Sequence, residues 1–253
     1  PMTPKAKTIT AVGVAVVALL LVGGGIFWFL RDDAPDEVNL DTAAQGVTTT
    51  TADESTTTTA GGGTATPDGI DGTWSVDTST GAFDYESATG TFVGFRISEE
   101  LASIGSTEAV GRTNAVTGSM TISETTVTDA SFTVDMTQIT TNESRRDNRV
   151  QSALNTQQNP NATFTLTEPI ELGADAASGA EVTATAKGDL TINGVTKAVE
   201  FPLQAKLVDG TVVVVGSLDV TFSDFGVEVP SAPVVLSVDD HGTLELQLLL
   251  TRS

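Results

Sequence analysis

The sequence predicts an all-β domain: an antiparallel barrel, closed or nearly closed, with one short helical insertion. A single transmembrane helix and a disordered linker are expected before it. Three observations carry the fold class. Along Gly188–Leu207 apolar residues alternate with polar ones on both sides of Asn193-Gly194. Alternation marks a strand with one dry face, and Asn-Gly suits a type I′ turn, whose central residues both need positive φ. Runs of the same period recur at short spacing from Thr73 to the C-terminus, and only Asn142–Gln158 breaks the pattern.

Composition narrows the function. The chain has 253 residues and no cysteine, which excludes disulfides, a thiol nucleophile and cysteine-based zinc sites. Its formal net charge is −21 and its pI about 4.1. Nucleic acid is therefore excluded as a natural partner, because binding it needs basic surface to displace counterions. Anionic lipid headgroups are poor partners for the folded part, for the same reason of charge. A homodimer stays open.

Lys5 and Lys7 precede a charge-free apolar run, Ile9–Leu30, and Arg31 follows it among Asp32, Asp33, Asp36 and Glu37. The run is long enough to cross a bilayer as a helix. Two basic residues before it against one after place the short tail 1–8 in the cytoplasm and the rest outside. A cleaved signal peptide has the same charge order. However, bulky Ile26–Leu30 end the run, and no small-residue cleavage pattern precedes Asp33, so a retained signal-anchor is favoured. Residues 31–72 read as a disordered linker of threonine, glycine and acidic residues, with too few large apolar groups to offset chain entropy. The domain occupies 73–253.

Strands are expected at Thr73–Asp77, Thr80–Tyr85, Thr91–Ile97, Ala115–Ile122, Thr126–Met136, Ala162–Leu172, Ala180–Ile192, Ala198–Val208, Thr211–Phe222, Val234–Val238 and Thr243–Arg252. Asp209-Gly210 and Asp240-His241-Gly242 read as turns. Leu244, Leu246, Leu248 and Leu250 form the dry face of the last strand. Val150 and Leu154 lie four apart, on one side of a short helix that Asn159-Pro160 ends. Closure into a barrel removes exposed sheet edges. About eight strands enclose either packed side chains or a small ligand.

Five segments in order resemble the YceI-like family, from about Trp74 to Arg252: Trp74-Ser75-Val76-Asp77; Arg146-Asp147 after Ile139-Thr140-Thr141; Asn159-Pro160-Asn161-Ala162-Thr163-Phe164; Gly188-Asp189-Leu190-Thr191-Ile192-Asn193-Gly194-Val195-Thr196-Lys197; and Ser223-Asp224-Phe225-Gly226. The resemblance implies a lipocalin-like barrel that binds a polyisoprenoid, an isoprenoid quinone or another long amphiphilic chain in an apolar tunnel. The chain departs from the family in having no histidine before His241, in a longer insertion at 98–117, and in Leu154-Asn155-Thr156 where aromatics are usual.

No catalytic constellation is visible. The single histidine, His241, reads as an exposed turn residue, and there is no phosphate-binding loop, nucleophile elbow or zinc-binding helix. Asp239-Asp240 reads as a solvated turn, since a hard cation needs about six converging oxygens. The expected tunnel wall is Phe132, Val134, Met136, Phe164, Leu166, Leu190, Ile192, Phe201, Leu203 and Phe222, with Val220 in the same row and Phe225 at a rim. Such a wall needs no polar motif, because an apolar chain offers no hydrogen bonds. Arg146 has two readings: contact with a ligand headgroup, or a structural pair with an acidic neighbour. The function expected is a membrane-anchored, extracytoplasmic lipid-binding protein without enzymatic activity, cofactor or metal. The alternative is a ligand-free structural or adhesion module on a stalk. Partners expected are an isoprenoid or other amphiphilic lipid, and the membrane through Ile9–Leu30.

Overall fold

Asn193 and Gly194 take φ of 50° and 75°, the pair of positive values a type I′ turn needs. They join β9 (Val182–Ile192) to β10 (Val195–Val208), with Val195 opposite Ile192. Asp209 and Gly210 repeat the device, at φ of 48° and 80°, and lead into β11 (Thr211–Thr221). In this computed structural model the described residues are 34–54, 69–83, 85, 88–101, 105–141, 144–228 and 235–253. The expected membrane span Ile9–Leu30 lies outside them. Among the described residues no helix is long and apolar enough to cross a membrane.

The remaining strands are β1 (Gly72–Asp77), β2 (Phe92–Leu101), β3 (Gly105–Thr113), β4 (Val116–Ser123), β5 (Thr126–Asp135), β6 (Thr140–Thr141), β7 (Asn161–Leu166), β8 (Ile170–Glu171) and β12 (Val235–Arg252). All pairings are antiparallel. The long β12 pairs with β1 through Leu249–Arg252 and with β2 through Val235–Gln247. β1 and β2 therefore act as one interrupted strand. β3 and β4, paired with β2 and β1 respectively, act as the next. With those composites the ring runs β1/β2, β3/β4, β5, β7, β9, β10, β11, β12 and closes on β1. The all-β, eight-stranded barrel read from the sequence is the fold observed.

Four local expectations are corrected. The described residues of 80–85 form no strand: the Asp77 carboxylate accepts hydrogen bonds from Ser79 N, Ser79 Oγ and Thr80 Oγ1 at 2.6–2.7 Å, a side-chain turn that competes with a ladder. Ala162–Leu172 is split into β7 and β8 around Glu168-Pro169. Asp240-His241-Gly242 is not a turn between strands: β12 runs through it, with a register shift against β2 between Val238 and Gly242. β3 fell within the expected insertion; its residues Ala109 to Thr113 are buried without alternation, which erased the period-2 signal.

The linker expectation is also corrected for residues 34–54. α1 (Leu40–Glu54) is a helix, capped by Asn39 Oδ1, which accepts from Asp41 N and Thr42 N. Its Leu40, Ala43 and Val47 pack on the outward-facing Val213, Val215 and Leu249, all of them buried. The second helix, α2 (Ser144–Ala153), is the expected insertion. Its Val150 is buried, as is Leu154 just beyond it, against Met136 and Ile139.

Candidate functional site

Alternation sends every second residue of each strand into the barrel, and here those residues are apolar and often small. β9 turns Val182, Ala184, Ala186, Leu190 and Ile192 inward, flanked by Ala162 of β7 and Ala205 of β10, with Ala130 from β5. A wall of side chains this small does not fill the interior. It leaves an internal cavity of about 220 Å³. Its wall is almost wholly hydrocarbon, so water would find no partners there. Left empty, a void of that size costs about 5 kcal/mol at roughly 24 cal/mol per Å³.

All eleven residues expected on the tunnel wall line this cavity. Phe132 and Val134 come from β5, and Met136 from the 3₁₀ turn after it. Phe164 and Leu166 come from β7, Leu190 and Ile192 from β9, Phe201 and Leu203 from β10. Phe222 and Phe225 come from the 3₁₀ turn Phe222–Phe225 that ends β11. Val220 is placed differently, lining a separate cleft while packing against the apolar cluster that includes Phe222 and Phe225. Leu244, Leu246, Leu248 and Leu250 line the cavity as the dry face of β12. Val93, Phe95, Val116, Met120, Val212 and Val214 also line it without having been singled out. In Val212–Val215 every residue is buried, so the run gave no sign of which face was inner.

Apolar clusters lie at both ends. Ile70, Trp74, Ile122, Val127 and Ala176 gather at the end bearing the Asp209-Gly210 turn. Val150, Leu154, Ile139, Phe222, Phe225 and Val227 gather at the other. Asn193 ties that second end together: its Oδ1 accepts from Asn159 Nδ2 at 3.1 Å, and its Nδ2 donates to Gly226 O at 2.9 Å.

Polar chemistry lies outside the barrel wall. Glu245 is 1% exposed and faces out from β12. Its Oε1 accepts from Arg96 Nε at 2.7 Å and Val38 N at 3.2 Å, and its Oε2 meets Arg112 Nη2 at 3.4 Å. Arg96 also pairs with Glu108 at 2.7 Å and donates to Pro35 O. Burial alone would lower the Arg96 pKa, but Glu245 and Glu108 outweigh it and raise it. Burial pulls Arg112 down, with Glu245 only partly compensating. The Arg112 guanidinium lies 4.4 Å from the Phe92 ring centroid. The strap 34–38 thus seals a buried ionic network under the N-terminal segment.

Arg146 forms an ion pair with Glu99, the structural arrangement of its two readings. Asp147 accepts from Thr141 N and Oγ1 at 2.8 and 2.7 Å. His241 is exposed and shares a hydrogen bond with Thr221 Oγ1 at 3.1 Å. Among the described residues no group of three or more histidine, aspartate or glutamate side chains is placed to hold a metal ion.

The YceI-like domain model matches residues 74–250. A UPF0312 protein of Pseudomonas aeruginosa is 31% identical over 160 residues, covering 58% of this chain and 76% of its own. The protein YceI of Escherichia coli is 36% identical over 121 residues, covering 46% of this chain and 56% of its own. Among solved structures, a polyisoprenoid binding domain from Saccharophagus degradans superposes with a TM-score of 0.53 at 14% identity, over 71% of this chain and 98% of that one. At that identity the likeness is one of fold, and the fold, the span of the match and the Pseudomonas relative agree: this chain belongs to the YceI-like family.

Proposed function

We propose that this protein holds the apolar chain of a polyisoprenoid, an isoprenoid quinone or a similar long amphiphilic lipid inside its barrel. One observation carries the reading: a barrel closed strand to strand, whose cavity is walled by hydrocarbon from β2, β4, β5, β7, β9, β10, β11 and β12, with apolar clusters at both ends. The polyisoprenoid named for the Saccharophagus domain supports the ligand class. Each methylene moved from water into such a site contributes roughly 0.8 kcal/mol, and filling the void removes its cost. A chain of ten or so carbons then binds without one polar contact.

The location belongs to the same proposal. Ile9–Leu30 anchors the protein as a single span, and the charge order Lys5, Lys7 before and Arg31 after puts the barrel outside the cytoplasm.

Native mass spectrometry of the detergent-purified full chain, followed by organic extraction, tests the ligand. A bound species of several hundred daltons that fragments as a prenyl or acyl chain is the expected result. A ligand-free mass, together with no uptake of prenyl alcohols or quinones, would instead favour a structural or adhesion module. Protease accessibility of the barrel in intact cells and spheroplasts tests the location; protection in both would overturn it.

A further inference from the structure

The barrel wall is not continuous. β10 and β11 pair from Val208↔Thr211 to Leu203↔Gly216 and no further, although β10 extends back to Val195 and β11 on to Thr221. Pro202 stands where the ladder stops. Its carbonyl oxygen would lie 2.7 Å from a Cβ on Gly216, so it faces β11. In a strand the nitrogen of a residue points to the same side as its carbonyl. Proline has no N–H to give there. The next rung cannot form, and the two strands splay.

The splay opens on a cleft of about 700 Å³, lined by Lys197, Val199 and Glu200 of β10 and by Leu218, Asp219 and Val220 of β11, with β2, β12 and the 3₁₀ turn behind. Val199, Leu218 and Val220 pack against the apolar cluster at this end. Among the described residues Phe225 is the one side chain that lines both the cleft and the internal cavity. It sits on the same short turn as Asp224, whose carboxylate lies 3.8 Å from Lys197 Nζ across the splay. Phe225 therefore stands between the cleft and the cavity, on a path that joins solvent to the barrel interior.

Resting on the lipid reading above, we propose that this cleft is a side entrance and headgroup seat. The lipid chain passes Phe225 into the barrel while its head stays between β10 and β11. The charge of the cleft sets the class of head. Glu108, Glu200, Asp219 and Asp224 face two cations, Arg96 and Lys197. Arg96 is bound to Glu108 and Glu245, and Lys197 lies beside Asp224. A diphosphate would meet an excess of carboxylate in a protein of net charge −21. The seat fits an uncharged or cationic head.

The chain has no cysteine, so a single Val220→Cys variant of the full chain can be modified cleanly with a bulky, reducible methanethiosulfonate reagent. The readout is uptake of N-phenyl-1-naphthylamine, a neutral apolar fluorophore, and its displacement by geranylgeraniol or geranylgeranyl diphosphate. Modification should slow uptake at least tenfold, and reduction should restore it. Modification of Thr128→Cys, exposed on β5, should leave the rate unchanged. Phe225→Ala should speed uptake severalfold. The alcohol should displace the probe at a tenfold or lower concentration than the diphosphate, with the gap narrowing as salt rises. Uptake that ignores modification at Val220 overturns the entrance while leaving lipid binding in place. Equal or stronger displacement by the diphosphate overturns the headgroup assignment. No uptake by the unmodified protein overturns the lipid reading and the entrance with it.

Discussion

Glu245 shows how one side chain can hold three parts of the chain together. It is nearly fully buried and gathers Arg96, Arg112 and the backbone of Val38. Removing one partner of a buried charge set strands the others, at about 3–5 kcal/mol. Glu245→Gln should therefore lower the melting temperature by on the order of 10 °C for a protein of this size, read by differential scanning calorimetry. An unchanged melting temperature would mean the arginines are held well enough by Glu108 and the strap carbonyls alone. Ala186 makes the opposite case. It is buried, yet it faces the cavity, so Ala186→Leu adds carbon where there is space. Lipid uptake should fall at least tenfold while the melting temperature of the ligand-free protein holds or rises. A matching loss of stability would show a packed site rather than a hollow one. The sequence already hinted at the hollow: Ala180, Val182, Ala184 and Ala186 alternate as a row of small inward residues. The large aromatics drew attention to the wall, whereas the small residues decide that there is room behind it.

At the scale of elements, legibility followed the number of wet faces. β9, β10 from Phe201 onward, and β12 from Leu244 onward have one dry face in their sequence pattern, and there the expected inward residues line the cavity. Strands with both faces covered were not readable in that way. Thr211–Gly216 is buried throughout because α1 lies on its outer side, and β3 lost its alternation where Asp36 of the strap and Tyr85 meet it. The helix responsible was hidden by its own composition. Its second half is Thr-rich and β-branched, a poor helix by intrinsic propensity, and tertiary packing of Leu40, Ala43 and Val47 overrides that. The buried Leu40 and Val47 are each worth roughly 1.5–3 kcal/mol, and their loss would also bare Val213, Val215 and Leu249. A chain beginning at Gly69 should therefore melt on the order of 10 °C below one beginning at Ala34. Hydrogen exchange in the longer chain should show β11 amides protected with α1 in place and faster when Val47→Asp unseats it. Equal melting of the two chains would mean the strap and helix only rest on the barrel.

For the whole molecule the strongest bias is its charge, and pH is the variable that reaches it. The carboxylate of Asp77 is pushed up by burial, but hydrogen bonds donated by Ser79 and Thr80 outweigh that and hold its pKa below the ordinary value. Asp240 is lowered by hydrogen bonds from Ser223 Oγ and N. A carboxyl group whose folded pKa lies below its unfolded value of about 3.9 binds fewer protons when folded. Its contribution is complete above that value and is lost as pH falls through the folded pKa. Stability should therefore be nearly level from neutrality to about pH 5 and decline below about pH 4. Asp77→Asn should be less stable at pH 7 yet show a shallower acid decline, because the group that titrates has been removed. Urea midpoints measured at intervals from pH 7 to pH 2.5 read both curves. Parallel curves for the two proteins would assign the acid decline to other carboxylates and return Asp77 to a turn-former alone. Added salt separates this local effect from the global one. Screening relieves self-repulsion among the excess carboxylates near neutrality, so salt should raise the midpoint at pH 7. It should do less at pH 3, where much of that charge is already gone.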